Sequence, residues 1–187
     1  MVKSLLCLGD SLTAGYGGRY EDCWTRLLSR RTGIMINNQG ICGDTLEGML
    51  RRLNGALASK PEACLLIGGT NDIFMGWAPD RNAVREIVAI CRNKGVTPLL
   101  GTPVPIDTAT ITAQWAACVD PLRSPRMLSD YVCWLREFCR SEGIILADIY
   151  AAIEAHGCDG LYVDGVHMSQ TGNEIIADTV EKMLQRI

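Results

Sequence analysis

The chain has 187 residues, 48% of them hydrophobic and 21% charged, with a formal net charge of −3. That length suits one domain with its own core and leaves little room for two, so residues 1–187 read as a single unit. The composition excludes a disordered or fibrous chain, and the slight acidity leaves no positive excess for nucleic acid or an anionic membrane surface.

Short apolar runs recur along the chain, separated by segments of helical period. Ser4-Leu5-Leu6-Cys7-Leu8 is the first, followed by Ile34-Met35-Ile36 and Ala63-Cys64-Leu65-Leu66-Ile67. Val96-Thr97-Pro98-Leu99-Leu100 and Ile144-Ile145-Leu146-Ala147 complete the set. Each is continuous rather than alternating, the pattern of strands buried on both faces of a parallel sheet.

Between the runs, Leu46, Met49, Leu50, Leu53 and Leu57 form a helical stripe. Val84, Ile87, Val88 and Cys91 form a second, stopping at Asn93-Lys94-Gly95. Tyr131, Leu135, Phe138 and Cys139 form a third, stopping at Gly143. The last holds Ile175, Ile176, Val180, Met183 and Leu184, with Ser169 as its N-cap. The stretch from Thr102 to Pro125 carries four prolines and reads as a long loop with a helical turn at Thr112–Cys118. Such a loop at the carboxyl end of a strand is a candidate pocket wall. The expected class is α/β, a three-layer α/β/α sandwich around a mainly parallel sheet of about five strands.

The nine cysteines are scattered and form no C-x-x-C, which argues against a zinc site and against a thioredoxin-like redox pair. No metal or other cofactor is expected. No apolar segment of signal-peptide length precedes the first strand, and no stretch is long enough to cross a bilayer. With unpaired thiols in number, the expected location is the cytoplasm.

Four segments stand at strand ends or helix starts. Gly9-Asp10-Ser11-Leu12 follows the first strand, where a serine is exposed at the sheet edge; alone, it reads equally as a capping residue in a glycine-rich turn. The glycines match neither a Walker loop nor G-x-G-x-x-G. Asn37 to Asp44 follows the second strand, and Gly68-Gly69-Thr70-Asn71-Asp72 the third. Each is a weak signal by itself, since such residues also make ordinary turns.

Val163-Asp164-Gly165-Val166-His167 precedes the last helix, and here the scarcity of histidine matters. Only His156 and His167 are present. A carboxylate three residues before His167 can hold one ring nitrogen and leave the other free to take a proton. His156 closes an alanine-rich helix, where a role at the helix C-terminus is the simpler reading.

Taken in order, the four segments resemble the blocks of the SGNH hydrolases, the GDSL esterase/lipase family. The resemblance implies a flavodoxin-like SGNH hydrolase fold and a serine hydrolase that acts on esters through an acyl-enzyme. It implies Ser11 as nucleophile, His167 as general base and then acid, and Asp164 as the residue that orients His167. It implies an oxyanion hole made of the backbone N–H groups of Ser11 and Gly40 and the side-chain amide of Asn71. Asp10 and Asp72 read as structural hydrogen-bonders. Met168 stands where family members often have proline, and Cys42 lies near Gly40, either as a small buried residue or as a thiol in the cleft.

Phe74, Trp77 and Trp115, on the loops after strands three and four, are candidates for the substrate pocket. Without a long amphipathic lid, the expected substrate is a small short-chain or acetyl ester rather than a lipid interface. A thioesterase or lysophospholipase of the same family is the alternative. A non-catalytic module that binds a small anion is a further one, which would have no use for Asp164-x-x-His167.

Overall fold

The computed structural model describes residues 2–187. Five strands, β1 (Ser4–Gly9), β2 (Met35–Gly40), β3 (Ala63–Ile67), β4 (Thr97–Gly101) and β5 (Ile145–Ala147), form one sheet in the order β2-β1-β3-β4-β5. Every neighbouring pair is parallel. The central strand β3 is buried at every residue, which is why it reads as an unbroken apolar run.

The described residues form eight α-helices, α1 (Ser11–Ala14), α2 (Trp24–Thr32), α3 (Leu46–Ala56), α4 (Thr70–Phe74), α5 (Arg81–Asn93), α6 (Arg123–Glu142), α7 (Ile149–His156) and α8 (Gln170–Leu184). The period of two along each strand sorts the sheet into two faces. Leu5 and Cys7 of β1 and Ala63, Leu65 and Ile67 of β3 pack with residues of α2, α7 and α8. Leu6, Leu8, Cys64 and Leu66 point the other way, onto α3, α5 and α6. The result is the three-layer α/β/α sandwich with a parallel sheet that the apolar runs imply. Ser169 caps α8 as expected, its hydroxyl accepting from the Gly172 N–H.

Two boundaries differ from the sequence expectation. The run Ile34–Ile36 marks a short buried strand, yet β2 continues through Asn37, Asn38 and Gln39 to Gly40 and is nowhere fully buried. It is an edge strand paired only with β1, so polar side chains can stay at the surface. The second concerns Pro125, placed above in the loop but found in the first turn of α6. N–H groups there have no intrahelical partner, so a proline costs no hydrogen bond. The loop therefore runs from Thr102 to Leu122, and its helical turn is present, with Ala116 N–H donating to Thr112 O at 3.1 Å.

Two further short helices lie outside the helical stripes read from the sequence. One is α2, fastened by Trp24, whose buried indole N–H donates to Leu12 O at 3.1 Å. The other is α4, a single turn that begins directly after Gly69.

Candidate active site

The strand order reverses at β1: the chain leaving β1 leads to α2 on one face of the sheet, and the chain leaving β3 leads to α5 on the other. Chains leaving β1 and β3 diverge at their carboxyl ends and leave a crevice between them, the usual place for a ligand in an open parallel sheet. Ser11 lies two residues past the end of β1 and Asn71 four past the end of β3, so both stand at that crevice.

Ser11 is the first residue of α1, mostly buried at 9% exposure. Asp10 caps the turn, its Oδ1 accepting the Leu12 N–H at 3.0 Å. Burial pushes the Asp10 carboxyl up to about 7, against the pull of that N–H, and the nearby carboxylates of Asp44 and Asp72 push the same way. Asp10 therefore ties the turn. Asp72 is likewise structural: its Oδ2 accepts the Leu46 N–H at 3.2 Å, and burial raises its pKa.

A hydrogen-bonded chain runs from Ser11 through His167 to Asp164. Ser11 Oγ lies 2.9 Å from His167 Nε2, and His167 Nδ1 lies 2.8 Å from Asp164 Oδ2. With a carboxylate on Nδ1, that nitrogen holds the ring proton and Nε2 is left to accept. Asp164 Oδ1 accepts two backbone N–H groups, from Val166 at 3.0 Å and His167 at 2.7 Å. Burial pushes the Asp164 carboxyl up, but these amides and the His167 ring together hold it below its ordinary value. The turn needs Gly165: its φ is +85°, and a Cβ there would stand 2.7 Å from Asp107 O. His156 is far from this arrangement in role, exposed in the last turn of α7 with Nδ1 2.8 Å from Ala152 O.

Among the three oxyanion donors assigned from the resemblance, Gly40 needs correction. It is the last residue of β2, opposite Gly9, and its N–H already donates to Asn38 Oδ1 at 2.9 Å. A Cβ on Gly40 would meet Ala14 N at 2.1 Å, so this glycine is required for close packing of β2 on α1. The next glycine, Gly43, lines the crevice together with Ser11 and Asn71. It belongs to a turn closed by the Asp44 N–H onto Ile41 O at 3.1 Å. Asn71 Nδ2 donates one hydrogen to Asp44 O at 2.9 Å, and an amide nitrogen has a second hydrogen to offer the crevice.

Arg52 of α3 stitches these pieces together. Its Nε donates to Asp44 Oδ2 at 2.7 Å and its Nη2 to Gly9 O at 2.8 Å, so one side chain holds the ends of β1 and the Gly43 turn. In sequence, Arg51-Arg52 sits on the polar side of a helical stripe, and nothing distinguishes one from the other.

The crevice holds a pocket of about 130 Å³, open to solvent on one side, whose lining includes Phe74, Trp115, Tyr16 and Cys42. Tyr16 and Trp115 pack on the His167 ring, with centroids 4.5 and 5.1 Å away. Trp77 does not line it. That side chain is 58% exposed and borders a separate surface cleft with Asp80, Arg81 and Arg85, because the chain turns away at Gly76 after α4. Cys42 is exposed and faces the cavity, so the reading as a small buried residue does not hold. All nine cysteines are unpaired. Met168, in place of the proline common at that point, is buried in the core beside α8.

Residues 7–175 match the GDSL-like lipase/acylhydrolase family. The chain belongs to this family. Among curated relatives, a thioesterase/protease/lysophospholipase of Escherichia coli is 33% identical over 104 residues, 53% of this chain and 50% of that protein. An esterase of Pseudomonas aeruginosa is 36% identical over 84 residues, 42% of each chain. The matched stretch thus spans half or less of these GDSL relatives. A solved GDSL protein from Veillonella parvula superposes with a TM-score of 0.83 over 98% of this chain and 99% of that one, at 20% identity. That likeness extends the shared fold to almost the whole length. Within the described residues, no helix is long and apolar enough to cross a membrane.

Proposed function

We propose that the protein is a serine esterase that hydrolyses short-chain carboxylic esters through an acyl-enzyme on Ser11. The observation that carries this reading is the unbroken chain Ser11 Oγ–His167 Nε2–His167 Nδ1–Asp164 Oδ2, set at the wall of a small cavity. Ser11 Oγ attacks the acyl carbonyl while its proton passes to His167 Nε2, and Asp164 stabilises the imidazolium that forms. The carbonyl oxygen becomes an oxyanion, for which the N–H groups of Ser11 and Gly43 and the second Asn71 N–H are the donors. His167 then gives its proton to the departing alkoxide, leaving acyl-Ser11. Water attacks that ester with His167 taking its proton, and collapse returns the carboxylic acid and free Ser11.

The cavity supports the short acyl chain. Its 130 Å³ matches the share of liquid volume of about four waters, enough for an acetyl or similarly small group, so a fatty acyl tail would have to lie mostly outside it. Lining by Phe74, Trp115 and Val166 makes the wall largely apolar, as an acyl group requires. Esterase and thioesterase are among the names of the curated relatives, and a thioester would react through the same groups. The test is a panel of p-nitrophenyl esters and acyl thioesters of graded length, followed through the first turnover. The expected result is a burst of p-nitrophenol, fastest with acetate and falling steeply with chain length, that Ser11→Ala abolishes. Full activity in Ser11→Ala, or a preference for chains of ten carbons or more, overturns the proposal.

A further inference from the structure

Asp164 has a fourth partner that comes from a remote part of the chain. The indole Nε1–H of Trp115 donates to Asp164 Oδ2 at 2.7 Å, the same oxygen that takes the proton of His167 Nδ1. Trp115 sits in the helical turn of the loop between β4 and α6, and a second strut of that loop, the Thr112 N–H, donates to the Asp164 carbonyl at 3.2 Å. The carboxylate, 13% exposed, therefore accepts from four donors: two backbone amides on Oδ1, and an imidazole and an indole on Oδ2. The same indole lies against the His167 ring and walls the cavity.

This has a chemical consequence. A carboxylate raises the basicity of the imidazole it holds because its negative charge stabilises the imidazolium. A second donor on the same oxygen draws on that charge and makes the oxygen a weaker acceptor for the ring. It also pins the oxygen in the line of Nδ1, so that Nε2 stays aimed at Ser11. We propose that Trp115 is a positioning residue that acts through Asp164, fixing His167 in line and tempering the basicity that Asp164 confers on it. The inference rests on the reading of Ser11, His167 and Asp164 as the catalytic groups.

Other titratable groups around the pair come from every neighbouring element: Asp10 and Tyr16 after β1, Cys42 after β2, and Asp107 after β4, whose N–H donates to Gly165 O at 2.9 Å. None of them is itself substituted in the Trp115→Phe variant, which keeps an aromatic ring beside Tyr16, 6.5 Å from the Trp115 centroid in the parent.

Trp115→Phe keeps a smaller aromatic wall and removes the donor. With p-nitrophenyl acetate the expected outcome is a fall of about tenfold in kcat, a KM changed less than twofold, and an acidic limb of the kcat/KM profile moved to higher pH. In an Asp164→Asn background the same replacement should change kcat less than twofold, because the group it acts through is gone. Proton NMR on the otherwise unaltered chain gives an independent readout. Of the four tryptophan indole N–H signals, Asp164→Asn should move one upfield, as its hydrogen bond loses a charged acceptor. A raised KM with unchanged kcat and pH profile, or four unmoved indole signals, overturns the proposal and leaves Trp115 as wall alone. Wild-type activity in Ser11→Ala would instead sink the reading on which it rests.

Discussion

Replacing Arg52 with methionine separates the scaffold of the site from its chemistry. The guanidinium makes two charge-assisted hydrogen bonds, to Asp44 Oδ2 at 2.7 Å and Gly9 O at 2.8 Å, with side chains 20% and 12% exposed for Arg52 and Asp44. Bonds to charged groups contribute about 1.5–3 kcal/mol each, and orphaning a buried charge costs about 3–5 kcal/mol. The pair is not wholly buried, so water can re-solvate part of Asp44, and a loss of about 3 kcal/mol in unfolding free energy is expected. Because Asp44 O also holds Asn71, the loosened turn should lower kcat about tenfold while KM for a small ester changes little. Urea unfolding followed by tryptophan fluorescence gives the first number and p-nitrophenyl acetate kinetics the second. Arg51→Met is the control. Its ion pair with Glu47 is exposed on both sides (67% and 62%), and its removal should cost under about 0.5 kcal/mol. Equal stabilities for the two variants, with wild-type kcat in both, would refute the clamp.

Asn71→Ala should lower kcat about 10²–10³-fold, the usual loss for one oxyanion donor, measured under saturating ester; a change below tenfold would remove Asn71 from that role. Asp10 has a folded pKa near 7 against about 3.9 unfolded, so the folded state binds the extra proton between those values and stability falls as pH rises from about 4 to about 7. Asp10→Asn cannot ionise, and its stability relative to the parent should therefore grow across that window by at most about 4 kcal/mol, of which urea midpoints at pH 5 and 8 would read at most about 3 kcal/mol. A pH-independent difference would contradict the buried, raised carboxyl. Iodoacetamide should slow the enzyme by blocking the cavity at Cys42, and Cys42→Ala should lose that sensitivity; inhibition that persists in the variant would place the reactive thiol elsewhere.

Much of this site is legible in the residues because its groups are anchored at strand ends. Ser11 and Asn71 stand two and four residues past the ends of β1 and β3, whose apolar runs read as buried strands, and Asp164 and His167 meet within a single turn. Three features escape that logic. Gly40 and Gly43 stand three residues apart, and the choice between them depends on where β2 ends. An edge strand may carry Asn37, Asn38 and Gln39, so hydropathy does not mark its end. Trp77 and Trp115 look alike as loop aromatics. Only the path of the chain after Gly76 and Gly101 sends the first outward and the second onto Asp164. Arg52 is one of two adjacent arginines on a polar helix face, distinguished only by the long-range contacts with Gly9 and Asp44.

The nucleophile is the claim on which the rest depends, and a fluorophosphonate probe addresses it directly. The reagent phosphonylates a serine whose hydroxyl is activated by a neighbouring base. Incubated with the whole chain and mapped by peptide mass spectrometry, it should add one phosphonyl group, on Ser11, with hydrolysis lost in step with labelling. His167→Ala should abolish both. A label on another residue, or full activity with Ser11 labelled, would contradict the account.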